Sequence, residues 1–275
     1  MNLGKHYSKS IINKFDYVPV YLPDTKIRPG AILSFGSDFW GINDPVGSFT
    51  VVGNLIGDAM FNFDLTVKDY PSSASYNFVS QNQVTLSSKV NANVPNVTKG
   101  TVQFNFAKEG SILLFAVKPT ESRIENLIAL KNNLLNVVHD FDWDNHYIVT
   151  SVYTCDKALV FQSSAKGGEL VVDVNVPKIG IQGTELNVEA NANFEVKWKD
   201  KQAFSVDWAN DVVLFMKLKR FTKKEILKNF NKGQQFDDKF TDGKLEAAAP
   251  SGIYDLIDVD VTKLRKHMAE EKVKE

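Results

Sequence analysis

Residues 186–198, LNVEANANFEVKW, decide how this chain is to be read. Leu186, Val188, Ala190, Ala192, Phe194, Val196 and Trp198 alternate without a break against Asn187, Glu189, Asn191, Asn193, Glu195 and Lys197. Successive side chains of a strand point to opposite faces, so the segment is a ribbon with one apolar and one polar face. Its 13 residues exceed the roughly five or six of an ordinary strand. A β-strand needs about nine to eleven residues to cross a bilayer at a tilt. Two structures therefore suit the segment. One is a half-buried strand of an antiparallel sheet with a solvated face; the other is a wall strand of a β-barrel in lipid.

The pattern recurs. In residues 82–94, NQVTLSSKVNANV, one face carries Val84, Leu86, Ser88, Val90, Ala92 and Val94, the other Thr85, Ser87, Lys89, Asn91 and Asn93. Phe61, Phe63, Leu65 and Val67 alternate with Asn62, Asp64, Thr66 and Lys68, and Val102, Phe104 and Phe106 with Gln103 and Asn105. Leu170, Val172, Val174 and Val176 alternate less cleanly with Val171, Asp173 and Asn175.

With 275 residues the chain has material for one large domain or two small ones. Its 43% hydrophobic and 24% charged content is that of an ordinary soluble globular protein. A net charge of −1 gives no electrostatic case for a nucleic-acid partner. No apolar run reaches the roughly eighteen residues of a membrane helix. Residues 1–15 read as a polar, mildly basic arm without the apolar core of a secretory signal. A single cysteine, Cys155, excludes an internal disulfide. The expected chain is water-soluble when made, and intracellular.

Along the chain, residues 17–22, YVPVYL, read as a short edge strand, because proline cannot donate to a ladder. Residues 31–40 and 46–55 are further strand candidates, and 70–75 a loop. Residues 119–138 read as the clearest helix, with Ile124, Leu127, Ile128, Leu134, Leu135 and Val138 on one stripe and Glu121 in its first turn. Strand character returns at 147–153 and 158–161, and residues 212–218 read as a central strand. Residues 217–232 then carry Lys217, Lys219, Arg220, Lys223, Lys224, Lys228 and Lys232 against Glu225, a net +6, with Ile226, Leu227 and Phe230 on a helical face. Residues 233–250 have the composition of an exposed linker. Apolar residues resume at 253–261 among Asp255, Asp258 and Asp260, and a polar helix with Leu264 and Met268 ends the chain. This acidic stretch is placed to fold back on the basic one. The fold class is α+β: a twisted, mostly antiparallel central sheet with flanking helices.

Chemistry-bearing motifs are scarce. Residues 139–146, HDFDWDNH, open like a calcium loop at Asp140, Asp142 and Asp144, but Asn145 and Ser151 stand where glycine and glutamate are needed. His139 and His146 are poorly spaced for zinc. The segment reads as a polar connector, Cys155 as packing, and Gly167-Gly168 as a turn between strands rather than a phosphate loop. The chain reads as a non-enzyme with no cofactor or metal site. The basic run is either a solvated face or a surface for anionic lipid, worth about 1 kcal/mol per charge near the membrane.

Taken in order, three stretches resemble the pore-forming domain of the gasdermins, most closely the short bacterial gasdermins. They are YVPVYLPDTKIRPGAILSF (17–35), the succession of strands and helix from Val94 to Leu135, and residues 146–221, which run from HYIVTSVYTCDKALV through VPKIGIQG to VVLFMKLKRF. The resemblance implies a pore-forming domain at 1–232, an exposed linker at 233–251 and an inhibitory tail at 252–275. An activating protease would cut near Lys244, Leu245, Glu246, Ala247, Ala248 and Ala249. Ile253, Tyr254, Leu256, Ile257, Val259, Val261 and Leu264 would dock the tail on the body and hold back two hairpins, at about 61–106 and 157–198. Val84, Leu86, Val90, Val94, Leu186, Val188, Phe194, Val196 and Trp198 would be membrane-strand faces. Lys217, Lys219, Arg220, Lys223, Lys224 and Lys228 would meet phospholipid.

The implied protein is a cytoplasmic monomer that oligomerises after cleavage into a large barrel in the inner or plasma membrane, killing its own cell in antiviral defence. Two departures stand out: residues 2–10 lack the cysteine that many bacterial members acylate, and the large inhibitory domain of animal members is absent. The alternative is a non-lytic β-rich protein carrying a lipid or small molecule, with the tail as an ordinary cap.

Overall fold

A computed structural model describes residues 2–23, 27–36, 45–80, 83–90, 99–175, 180–182, 185–187, 193–198, 203–209, 211–223 and 254–271. The elements in chain order are α1 (Leu3–Phe15), β1 (Val18–Pro19), β2 (Ala31–Phe35), β3 (Phe49–Asn54), β4 (Val67–Pro71), β5 (Ser75–Val79), β6 (Val84–Val90), β7 (Lys99–Phe106), β8 (Ile112–Val117) and β9 (Thr120–Ile124). After α2 (Leu127–Asn136) come β10 (Tyr147–Cys155), β11 (Lys157–Ser163), β12 (Gly168–Asn175), β13 (Gly180–Gln182), β14 (Glu185–Asn187), β15 (Asn193–Trp198), β16 (Phe204–Ala209), β17 (Val212–Lys223), β18 (Tyr254–Asp258) and α3 (Val261–Glu271). The protein is α+β with antiparallel sheets and few helices.

Four runs of chain dominate. Run I is β4-β5-β6, run II β7-β8-β9, run III β10-β11-β12 and run IV β15-β16-β17. Each contributes one strand to three successive sheets, always in the order I, II, III, IV. Sheet A contains β4-β9-β10-β17, sheet B is β5-β8-β11-β16 and sheet C is β6-β7-β12-β15. All of these neighbours are antiparallel. β2 and β3 add to β10 in sheet A, while β1 and β18 share the other edge of β17.

Alternation explains the layering. In β8, Leu113, Phe115 and Val117 join one cluster with Phe104, Phe106, Leu170 and Val172 of sheet C, while Ile112, Leu114 and Ala116 join another with Tyr7 and Ile11 of α1. In β11, Leu159 and Phe161 take the first side and Ala158 and Val160 the second. Sheet B is thus the middle layer, with sheet C on one face and α1 on the other.

Three sequence expectations need correction. Residues 1–15 form a packed helix, with Asn2 accepting the N–H of Lys5 at 3.0 Å and Tyr7, Ile11 and Ile12 fully buried. Residues 119–138 are a strand followed by a helix: β9 pairs with β4 and β10, and α2 starts only after Asn126, whose side chain accepts the N–H of Ala129 at 2.9 Å. Phe61 to Leu65 form no strand, although Phe61, Phe63 and Leu65 do pack in one cluster with Trp143 and Leu134.

Candidate functional site: an amphipathic sheet and a docked terminal strand

Sheet C holds most of the anticipated hairpin strands in one continuous register. Leu86, Phe104, Leu170 and Trp198 stand side by side across four strands; so do Ser88, Val102, Val172 and Val196, and then Val90, Gly100, Val174 and Phe194. The intervening rows are Ser87, Gln103, Val171 and Lys197, and Lys89, Thr101, Asp173 and Glu195. Apolar rows alternate with polar rows, with Ser88 and Val171 as exceptions. Of the anticipated face residues, Val84, Leu86, Val90, Phe194, Val196 and Trp198 therefore fall on a single face. Leu186 does not join them: it pairs with Ile181 in the separate β13–β14 ribbon. Val94 and Val188 lie outside the described residues.

Sheet C takes in only part of the two stretches 61–106 and 157–198. From the first stretch it holds β6 and β7. From the second it holds β12 and β15, while β11 from Lys157 onward belongs to sheet B. The apolar face of sheet C is shut against sheet B, with Phe106 and Phe204 in edge-to-face contact at 5.0 Å and Phe161 and Phe204 at 5.7 Å.

The tail is docked on sheet A. β18 pairs with β17 over five rungs, from Lys219↔Asp258 to Lys223↔Tyr254. Tyr254 stacks on Phe221 at 5.5 Å, and Phe221 meets Trp143 edge-on at 5.9 Å. Leu256 packs in the same cluster as Phe221, while Val259, Val261 and Leu264 pack with Ile12, Val18 and Leu218. Ile257 is 41% exposed, and Ile253 lies outside the described residues. Lys131 holds Asp255 at 2.6 Å and Lys219 holds Asp258 at 2.8 Å. Asp258 is 80% exposed, so its pair is screened and contributes little.

Arg265 is a docking residue that sequence reasoning passed over. Its guanidinium donates to Ile12 O at 3.1 and 2.8 Å and to Asn13 O at 3.0 Å, with Asp16 paired at 2.8 Å. These are carbonyls of the last turn of α1, where a helix has unsatisfied acceptors and favours a cation. A lone arginine in a tail rich in Lys and Glu has no pattern to mark it. Among the described residues, the cluster between sheets B and C holds no tail residue. The tail thus grips β17, α2 and α1, not the hairpins themselves.

Lys217, Lys219 and Arg220 of the basic run are partnered. Lys217 pairs with Glu121 at 2.8 Å, and Arg220 donates to Asp144 O and lies over the Tyr147 ring at 5.5 Å. Lys223 is exposed; Lys224, Lys228 and the cleavage region 244–249 lie outside the described residues. Burial pushes the Glu121 carboxyl up, but hydrogen bonds from Lys217, Ser151 and Tyr153 and the Lys217 charge bring it below the usual range. Burial raises the Tyr153 hydroxyl, as does its contact with Tyr17.

HDFDWDNH proves to be a connector with a packing role. Trp143 is buried, Asp144 accepts from Thr222 Oγ1 at 2.6 Å, and His146 Nδ1 lies 2.5 Å from Asp142 O. Among the described residues no three His, Cys, Asp or Glu side chains gather to hold a metal. Cys155 is buried, its thiol donating to Val117 O and Lys157 O at 3.0 Å each, and burial raises its pKa. No helix among the described residues is long and apolar enough to cross a membrane.

Fold and site define an α+β protein with antiparallel sheets, an amphipathic outer sheet and a terminal strand added to β17. No protein-family model matches the chain, and no curated protein matches it. A solved structure described as the cryo-EM structure of the gasdermin A3 membrane pore is similar at 12% identity over 80% of this chain and 90% of that one. The TM-score is 0.28, an overlap too loose to carry an argument.

Proposed function

We propose that the chain is an autoinhibited pore-forming protein of the gasdermin kind, nearest in pattern to the short bacterial members. The observation that carries the proposal is the row register of sheet C. Four antiparallel strands, alternately up and down, present one apolar and one polar face, as a segment of barrel wall must. β6 and β15 are its free edges. A barrel in lipid has to close every edge, so copies join β6 to β15 around a ring.

On this reading residues 1–232 form the pore, 233–251 the linker and 252–275 the inhibitor. The protein is a cytoplasmic monomer until a protease cuts near Lys244–Ala249. The cut turns tail docking from an intramolecular into a bimolecular equilibrium, which removes the high effective concentration of a tethered segment. The released body then meets anionic phospholipid through Lys217, Lys219, Arg220, Lys223, Lys224 and Lys228, inserts in the inner or plasma membrane and kills the cell in antiviral defence.

The test is dye release from anionic vesicles with an engineered protease site replacing residues 244–249. Release after cutting, and none before, is expected; vesicles that stay intact in both cases would contradict the proposal. A second reading, a non-lytic carrier of a small molecule, rests on a cleft of about 530 Å³ lined by Ile27, Val67, Val152 and Val213 with Arg28 and Asp211 at its rim. It requires a bound ligand in native mass spectrometry and no ring-shaped assemblies by electron microscopy.

A further inference from the structure

Sheet A divides along β10, and the cleft of about 530 Å³ opens at the division. β2 pairs with β10 at Tyr147 and Ile148, and β9 takes over from Ser151 to Thr154. Between them the segment before β2 comes down onto β10, where Gly30 N donates to Val149 O at 2.7 Å. Gly30 has φ +94°, and a Cβ there would meet Asn54 Oδ1 at 2.9 Å and the Ile56 side chain at 3.1 Å. Glycine thus lets this segment lie tightly against the end of β3 and wall the cleft.

The floor is a piece of sheet. Ser122 stands opposite Val152, and Thr154 opposite Val213, and all four line the cleft. Ile27, Val152 and Val213 are buried in one cluster, so the apolar surface is formed before any ligand arrives, as is usual for small-ligand sites. Val152 and Thr154, two residues apart on β10, repeat at the spacing of alternate side chains in an extended chain.

Two charges mark the ends. Arg28 lies two residues before the mooring of Gly30 at Val149. Asp211 N donates to Asp156 O at 3.4 Å, seven residues farther along the chain from Val149. Both residues are exposed and both line the cleft. Among the described residues neither side chain has an ion-pair or hydrogen-bond partner. Unpaired charges of opposite sign at the two ends of an apolar trough complement a linear zwitterion with an apolar middle. An acyl chain offers nothing to Asp211, and a polyamine offers nothing to Arg28.

We propose that this cleft is a binding site for short apolar peptides with free termini, the carboxylate held at Arg28 and the amine at Asp211. The peptide lies extended along β10, its side chains over Val152 and Val213. The inference deepens the small-molecule reading of the cleft, on which it rests, and does not depend on pore formation.

The test is calorimetric titration of the uncut, full-length protein with trileucine. A Kd between about 10 μM and 1 mM is expected for a ligand of this size. Amidating the peptide's carboxylate and acetylating its amine should each weaken binding about two- to fivefold, the worth of one exposed ion pair. Arg28→Gln should erase the first difference and leave the second; Asp211→Asn should do the reverse. Asparagine tolerates the φ of +46° at position 211, so that variant keeps its turn. No binding at about 1 mM overturns the inference, and so does an amidation cost that is the same in Arg28→Gln as in wild type. Decanoate bound as tightly as trileucine, and equally by Asp211→Asn, would overturn it by making the cleft an acyl-chain site. A different co-purified ligand in native mass spectrometry would keep the small-molecule reading while the peptide fails, and vesicle leakage judges the pore separately.

Discussion

Sheets B and C share the same four runs in the same order, yet differ in what their faces touch. In sheet B, β8 alternates between sheet C and α1, and its six residues are all buried. In sheet C the described residues differ by face: Phe104, Phe106, Leu170 and Val172 are buried, while Gln103, Asn105 and Thr85 on the other face are partly or fully exposed. One sheet is a core that cannot be uncovered on either side without a large loss. The other gives up only its contact with its neighbour. The difference lies in a single apolar interface, and the tail packs at a distance from it, on sheet A and α1.

Substitutions can break or sharpen that comparison. The largest effect is expected in sheet B, where Phe161→Ala should cost about 3–5 kcal/mol in urea unfolding, because the ring is fully buried against Phe204 and the sheet C cluster. Next comes the tail: Tyr254→Ala loses the stack on Phe221 and should weaken docking by about 1–3 kcal/mol, seen as faster hydrogen exchange over β18 while sheet B stays protected. Arg265→Ala should loosen α3 from α1 by about 1–2 kcal/mol, with exchange rising in both helices.

Glu121→Gln tests the ion pair on β17 by its pH dependence. The folded carboxyl titrates below its unfolded value, so its contribution is present above about pH 4.3 and is lost as pH falls through the folded value. The stability gap between wild type and variant should therefore close on acidification. The smallest effect is expected on the open face of sheet C: Gln103→Ala gives up one side-chain bond to Asn105 at 3.0 Å and should stay within about 0.5 kcal/mol. A cost there like that of Phe161→Ala would erase the distinction between the sheets.

Much of this was legible in the chain. Alternation marked β6, β7 and β15 and, less cleanly, β12, and the unbroken runs ILLFAV and ALVF carry the signature of two-face burial. The return of 253–261 to the body was implied by the family resemblance and by its acidic residues downstream of a basic run. What stayed hidden has physical reasons. Helical spacing from Ile124 to Val138 was real, but Asn126 caps the helix late and Thr120–Ile124 is claimed by two strand neighbours. Leu3, Tyr7 and Ile11 lie four apart, but lysines and serines between them mask the stripe of α1. The ribbon 186–198 is divided because its start pairs with β13 and its end with β12. Which runs lie side by side depends on contacts distant in sequence, and no local pattern encodes that.

The central claim is that the apolar rows of sheet C exchange one apolar neighbour for another when the tail is cut away. Single-cysteine probes at Val196 and Lys197, adjacent positions on opposite faces of β15, test it directly on anionic vesicles. After cutting, a nitroxide in the acyl chains should quench the probe at 196 and spare that at 197, while an aqueous quencher should do the reverse. Equal quenching at both positions, or no change on cutting, would contradict the account.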